Sequence, residues 1–310
     1  MIVPFIKATS RSFSENPQLR QEILQHFPNT VFNETGDSFP PEKLIAYLKD
    51  ADGVVLGTEK MDANVLRQLP NLKIITKYGV GLDNLDVDAA KLLGKVVGWT
   101  PGTNKRSVAE ESLGFMLGLC RNLFFSGFQL KQGVWNKHGG MQLTGKCVGI
   151  VGCGNTGSEV LKLLQPFACD VLICDILDKS ELAREYGARQ VSFEELLPQV
   201  DVLTLHVPLT EQTHYMMNDT TLKTMKSSAF LINLSRGPVV SQESLKHALT
   251  EKVIAGAALD VFEQEPPTDL KFLALPNLMV APHIGGNAHE AVLAMGRAAI
   301  EHLVNHFVKS

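Results

Sequence analysis

No apolar run in the 310-residue chain approaches the roughly 20 residues that a helix needs to cross a bilayer, so a helical membrane span is excluded. Strong charge of either sign is also missing. Lys and Arg total 29 against 33 Asp and Glu, a net charge of −4 that argues against a nucleic-acid or anionic-membrane partner. Cysteine is sparse and forms no CxxC pair. Cys120, Cys147, Cys153, Cys169 and Cys174 all stand in apolar or strand-like surroundings and read as free thiols of a reducing cytoplasm. There is no HxxH or HExxH spacing for a metal and no GxSxG elbow for a serine hydrolase of the α/β type. Internal repeats and low-complexity stretches are absent too. Residues 1–7 are too short and wrongly flanked for a signal peptide, and residues 2–6 are expected to form a first strand instead.

What is present is enough chain for more than one core. At 310 residues two domains are expected, and 45% hydrophobic with 20% charged residues is ordinary for a globular protein. Up to about residue 99, strand-like segments (2–6, 53–56, 73–76, 95–98) alternate with helical ones (17–27, 42–49, 63–69, 87–93). That rhythm predicts a small parallel sheet with helices on its faces. Residues 100–104, Thr-Pro-Gly-Thr-Asn, break the pattern. One long helix is expected over 107–124; beyond Glu111 it is apolar on nearly all sides, which calls for burial between domains or between subunits. Strands are expected again at 148–151, 170–174, 200–207, 229–234, 254–261 and 278–281, about six, the number in a full dinucleotide-binding sheet. A last helix over 288–308 can cover either domain. Chain crossings at Thr100 and near Pro282 would make a hinged pair with a cleft between.

The most informative stretch runs from Lys146 to Asp175. An apolar strand breaks into Gly152-x-Gly154-x-x-Gly157, a helical pattern follows, and a second strand ends on Asp175. In a dinucleotide site Gly152 allows the tight turn, Gly154 lets the backbone approach the pyrophosphate, and Gly157 lets helix and strand pack closely. The helix N-terminus, with Asn155 and Thr156, offers N–H groups and a partial positive charge to the pyrophosphate. Asp175 stands at about the 20-residue offset at which a carboxylate accepts from the adenosine ribose hydroxyls. No Arg follows it to take a 2′-phosphate, which predicts NAD over NADP.

Ligands of open α/β sheets bind outside the carboxyl ends of the strands. Those ends carry Thr76 to Gly81, His206-Val207-Pro208, Ser235-Arg236-Gly237, Asp260 to Glu265 and Pro282 to Gly286. Hydride transfer to or from a hydroxy acid needs a cation for the carboxylate, a proton-moving group of near-neutral pKa and a partner to orient it. His283 suits the acid/base role, and Glu265 can accept from its ring and favour the charged form. Arg236 can grip a carboxylate bidentately, or form only a surface salt bridge. His206 stays open as a competing acid/base, although its segment reads more as a wall in contact with a cofactor.

At these residues the sequence resembles the D-isomer-specific 2-hydroxyacid dehydrogenase family. The likeness covers nearly the whole chain through ordered motifs at residues 77–84 (KYGVGLDN), 100–102 (TPG), 108–110 (VAE), the glycine fingerprint, 206–210 (HVPLT), 233–237 (NLSRG), 260–266 (DVFEQEP) and 282–286 (PHIGG). The resemblance implies two doubly wound parallel-sheet domains. Residues 1–99 and 285–310 would form a flavodoxin-like substrate domain, with the last helix returning to it, and residues 100–284 a Rossmann domain that binds NAD. It implies that Arg236 binds the substrate carboxylate and keto oxygen, that His283 is the acid/base and that Glu265 supports it. Lys77, Tyr78 and the Gly79-Val80-Gly81 turn would meet the substrate. The cofactor would be held by Gly152, Gly154, Asn155, Thr156, Gly157, Asp175, His206, Val207, Pro208, Thr213, Leu234, Ser235, Asp260, Gly285 and Gly286. A cytoplasmic homodimer is implied, joined through the 107–124 helix and the region of Trp135.

The phosphoglycerate dehydrogenase-like branch is the nearest, through residues 79–84 and 100–104. The chain departs from it by ending at Ser310, without the regulatory domain many of those enzymes carry, and by placing Gly57 where a phosphate-binding Arg often stands. The substrate is expected to be an anionic 2-hydroxy acid whose distal group meets Lys77, with 3-phosphoglycerate leading and a hydroxypyruvate/glyoxylate-type reductase as the alternative. Lys77 balancing only Asp83 or Asp86 is the simpler reading of that residue. Two other readings share the fold: an NAD(H)-sensing protein like the transcriptional corepressors, whose additional terminal segments are missing here, and a formate- or phosphite-oxidising enzyme, which the first-domain motif fits less well.

Overall fold

Two parallel sheets organise the chain. The computed structural model describes residues 4–37 and 39–309 and divides into two units, Met1–Asn104 with Gly286–Ser310, and Lys105–Gly285.

In the first unit, β1 (Ile6–Ala8), β2 (Gly53–Leu56), β3 (Ile74–Lys77) and β4 (Val96–Gly98) pair in parallel in that order. The free edge of β1 carries one further parallel bridge, Lys7 to Val31. With Val31 counted second along the chain, the order is the 2-1-3-4-5 of flavodoxin-like sheets. Alternation divides the side chains between two cores. Ile6, Ala8, Val55 and Ile74 face Phe13, Leu19, Ile300 and Leu303, whereas Val54, Leu56 and Ile75 face Leu44, Leu48, Leu66 and Leu69. The last helix, His289–Phe307, therefore belongs to this unit, and truncating its fully buried Leu303 to Ala should cost about 2–5 kcal/mol. The expected first strand at 2–6 falls partly outside the described residues; what is described starts at Ile6.

In the second unit, β5 (Cys147–Val151), β6 (Asp170–Cys174), β7 (Arg189–Gln190), β8 (Val202–Leu205), β9 (Phe230–Asn233), β10 (Gly256–Leu259) and β11 (Leu278–Val280) form one parallel sheet in the order β11-β10-β9-β8-β5-β6-β7. This is the doubly wound dinucleotide-binding order with one strand added beyond the sixth. The seven strands correct the expected six or so, because β7 is two residues long and has no apolar run to reveal it. Both faces are covered. Val148, Ile150, Val171 and Ile173 pack with Phe115, Met116, Val160 and Leu161, and Leu172, Leu203, Leu205 and Leu231 pack with Leu196, Leu222 and Leu245. The strand order reverses between β5 and β8, which opens a crevice at the carboxyl end of β5.

The single helix expected over 107–124 is two helices, Lys105–Cys120 and Leu123–Lys131. They part at Asn122, whose φ of 52° is a left-handed conformation that Asn adopts more readily than most residues. The first helix buries Ala109, Ser112, Phe115, Met116, Gly118 and Cys120, within its own unit. The second buries nothing. Among the described residues no helix is long and apolar enough to cross a membrane, and no group of His, Cys, Asp and Glu is placed to hold a metal.

Candidate active site

The crevice at β5 is lined by the glycine turn. Gly152 has φ +85°, and a Cβ there would lie 2.6 Å from the His206 carbonyl oxygen. A Cβ on Gly157 would lie 2.1 Å from the Gly152 carbonyl oxygen, so the helix closes on the strand end where only glycine fits. Gly154 differs from both, since a Cβ there would meet nothing within 4 Å. Its missing side chain leaves open space over the start of the helix Asn155–Leu164, which has no side-chain cap. The N–H groups of that first turn are a ready anion site. Asp175, just beyond β6, anchors the turn: its Oδ2 accepts from the Cys153 N–H at 2.7 Å and its Oδ1 from the Leu177 N–H at 2.9 Å. An open turn and an uncapped helix start, able to take an anion, thus stand beside a carboxylate, all from this unit's own residues.

Two to four strands further along the sheet, the ends of β9, β10 and β11 bring Arg236, Asp260, Glu265 and His283 together. Asn233, fully buried at the end of β9, holds the Arg236 backbone: its Nδ2 donates to the Arg236 carbonyl at 2.9 Å, and its Oδ1 accepts from the Ser235 N–H and hydroxyl. Gly237 allows the next approach, since a Cβ there would run into the Phe262 carbonyl at 1.9 Å. His283 Nδ1 lies 2.7 Å from Glu265 Oε2, and Glu265 Oε1 accepts from the Phe262 N–H at 3.0 Å. The hydrogen bond to Glu265 raises the His283 pKa above its ordinary value against the opposing effect of burial. Burial alone would raise Glu265, but the bonds from His283 and the Phe262 N–H, with the charges of His283 and Arg236, hold it below the usual range. His283 itself sits at φ +55°, and its N–H donates to the Asp260 carbonyl at 2.8 Å. A left-handed histidine held this way marks a place where local strain is retained by its surroundings.

Asp260 is buried, and its carboxyl accepts from the Ile284 and Gly285 N–H groups at 2.7 and 2.8 Å, so it fixes the loop behind His283. Burial raises its pKa against those two bonds. His206 stands in surroundings that disfavour a charged ring. Burial pushes its pKa down to about 4, and its Nε2 is 2.9 Å from the Thr204 hydroxyl. The Thr213 hydroxyl closes the loop after His206 by donating to the Pro208 carbonyl at 2.6 Å, while Leu234 and Ser235 are buried behind Arg236.

The remaining candidates lie in the first unit. Gly79 has φ +129°, and the Val80 carbonyl accepts from the Trp99 indole at 3.0 Å. The Tyr78 hydroxyl is 2.9 Å from the Ser12 hydroxyl, and Gly81 completes the turn. Lys77 is only 6% exposed, and its ammonium donates to the Gly57 carbonyl at 2.5 Å and to Asn84 Oδ1 at 2.7 Å. Gly286 approaches Asn104, whose Nδ2 would lie 2.7 Å from a Cβ there. The five cysteines are free thiols, and burial raises the pKa of each, that of Cys153 to about 11. One residue beside the site escaped the sequence reading. Glu111, on the helix Lys105–Cys120, has its Oε2 3.0 Å from where a Gly285 Cβ would stand. Its only sequence signal is that it is the last charged residue before the helix turns apolar.

A doubly wound sheet with an open glycine turn and a histidine–carboxylate pair at its strand ends defines a nicotinamide-dependent oxidoreductase. Residues 113–285 match the family model described as D-isomer specific 2-hydroxyacid dehydrogenase, NAD binding domain, and the chain belongs to that family. It is an NAD-dependent enzyme of the D-2-hydroxyacid dehydrogenase class. It is 36% identical to a glyoxylate reductase of Korarchaeum cryptofilum over 293 residues, which is 91% of this chain and 87% of that one. It is 36% identical to a D-3-phosphoglycerate dehydrogenase of Methanocaldococcus jannaschii over 87% of its own length, but spans only 52% of that protein. The crystal structure of D-lactate dehydrogenase from Aquifex aeolicus, complexed with NAD and lactic acid, superposes with a TM-score of 0.84 at 27% identity, covering 98% of this chain and 95% of that one.

Proposed function

We propose that the enzyme reduces a small 2-keto acid of the glyoxylate or hydroxypyruvate type to the 2-hydroxy acid, with His283 delivering the proton. The observation that carries this is the 2.7 Å pairing of His283 Nδ1 with Glu265, a carboxylate that orients the ring and favours its charged form. Bound NADH supplies the hydride. Charged His283 then donates its Nε2 proton to the keto oxygen, and in the oxidative direction the neutral ring takes it back. Glu265 favours the charged ring and fixes its orientation. Arg236 takes the substrate carboxylate with its fork of N–H donors. The glycine turn and the first turn of the helix Asn155–Leu164 hold the pyrophosphate, and Asp175 accepts from the ribose. That carboxylate also repels a 2′-phosphate, so NAD(H) is preferred over NADP(H).

We assign substrate binding to the first unit, through the backbone N–H groups of the 79–81 turn, and cofactor binding to the second. A keto acid without a phosphate is favoured because Lys77 gives its ammonium to Gly57 and Asn84 and Gly57 adds no cation of its own. A homodimer is proposed from the helix Leu123–Lys131, which leaves Leu123, Phe124, Phe128 and Leu130 more than half exposed, next to Trp135 at 75%. The interface is therefore drawn on this second helix rather than on Lys105–Cys120. A reducing cytoplasm suits the five free thiols.

The test is NADH consumption, followed by its absorbance, with glyoxylate, hydroxypyruvate, pyruvate and 3-phosphohydroxypyruvate. One of the first two should exceed the phosphorylated acid in kcat/KM by at least about tenfold, the worth of one charge-assisted contact. A lead for 3-phosphohydroxypyruvate would overturn the substrate assignment and return Lys77 to a phosphate-reading role.

A further inference from the structure

We infer that Glu111 sets the relative affinity of the site for oxidised and reduced nicotinamide. Its carboxylate is a charge from which the cationic ring of NAD⁺ gains and the neutral ring of NADH does not. The inference rests on the reading above, in which the nicotinamide lies at the His283 end of the sheet, since the carbon that receives hydride must be next to the oxygen that receives the His283 proton.

The geometry is local to the second unit. Ser107 and Glu111 are four residues apart on the helix Lys105–Cys120 and so share a face. Ser107 donates its hydroxyl to the Gly285 carbonyl at 2.5 Å, which ties that face to the loop following His283. A Cβ on Gly285 would stand 3.0 Å from Glu111 Oε2 and 3.0 Å from Asp260 Oδ2. Two carboxyl groups therefore meet over one glycine. Asp260 has the Ile284 and Gly285 N–H groups to stabilise its charge, whereas among the described residues no donor bonds to Glu111.

Two carboxylates this close cannot both ionise cheaply, and Glu111 is the one without compensation. Burial first, and the Asp260 charge second, raise its pKa to about 7 against the pull of His283. Other charges nearby are engaged elsewhere. On its own helix Glu110 pairs with Arg106 at 2.6 Å, and on the packed helix Asn155–Leu164 Glu159 lies 3.3 Å from Arg106 and 3.9 Å from Lys105. Beyond His283, Glu265 and Arg236 act on the imidazole itself. As pH rises through neutrality, Glu111 thus adds a negative charge beside the ring. NAD⁺ should bind more tightly, while NADH is nearly indifferent. One unit charge at several ångströms, in the effective dielectric of a protein, gives an effect on the order of tenfold.

His283 also loses its proton in this range and would move NAD⁺ affinity in the same direction, so the experiment removes it. In His283→Asn, dissociation constants for NADH (by fluorescence) and for NAD⁺ (by competition) are measured from about pH 6 to about pH 9. The ratio of the NAD⁺ to the NADH constant should fall about tenfold as pH rises. In the double variant with Glu111→Gln, which resembles the protonated acid in size and polarity, the ratio should be flat. The single variant is informative without the double one, because a flat ratio in His283→Asn already overturns the role of Glu111. A ratio that still falls in the double variant overturns it as well. If neither nucleotide binds at any pH, the reading of the site fails, and the inference fails with it.

Discussion

Strain at His283 and charge at Glu265 act on the same imidazole. A left-handed backbone aims the ring, the Asp260 carbonyl holds that backbone, and Glu265 takes the Nδ1 side of the ring. The pKa of His283 is raised, so the proton donor is complete at low pH and is lost as pH climbs through that raised value. In kcat/KM, keto-acid reduction should therefore decline on an alkaline limb above about pH 6.5, the ordinary value for imidazole. Hydroxy-acid oxidation should rise over the same range. Glu265→Gln removes the largest raising influence and should move that limb toward acid; a pH profile unchanged in this variant would remove Glu265 from the mechanism. Arg236, Glu265 and His283 stand out in the sequence because each follows a strand, where chemistry is expected in such sheets, and the fold brings His283 to Glu265. Glu111 could not, because only the folded chain brings it to Gly285 and Asp260.

At the scale of the element, the turn between β5 and its helix separates two kinds of glycine. Gly157 is required by the fold, since its Cβ would strike the Gly152 carbonyl, whereas Gly154 borders open space. Gly157→Ala should lower stability by about 1–3 kcal/mol, measured by thermal or chemical unfolding. Gly154→Ala should unfold like the wild type yet bind NADH several-fold more weakly. Equal loss of stability in both variants would mean that Gly154 serves packing and not the ligand. The turn was legible from spacing because glycines flanked by an apolar strand and a helix have few other uses. The break at Asn122 was not legible, because the apolar pattern runs through it and a single left-handed residue leaves no periodic trace. Strand β7 was hidden for the opposite reason, having too few residues to carry any pattern.

At the scale of the whole molecule, sequence rhythm gave the alternating strands and helices but not the placement of the last helix. Apolar spacing shows that a helix has a buried face; it does not say which sheet covers it. Only the packing of Ala299, Ile300 and Leu303 against β1 and its neighbours answers that. The opposite case is the helix Leu123–Lys131, apolar and uncovered in the single chain. Phe128→Asp should shift the protein toward monomer in sedimentation or size-exclusion measurements. A wild-type monomer, or a dimer indifferent to Phe128, would contradict the proposed interface.

The central claim is that His283 supplies the proton when the keto acid is reduced with NADH. The most direct measurement is a single turnover of prebound NADH against glyoxylate or hydroxypyruvate, in the wild type and in His283→Asn. Asn tolerates the left-handed backbone at this position better than most residues, so the loop should keep its shape. NADH should bind both proteins with similar affinity, and the variant should oxidise it on the order of 10²–10⁴ times more slowly. A variant that binds NADH and turns over at the wild-type rate would contradict the account.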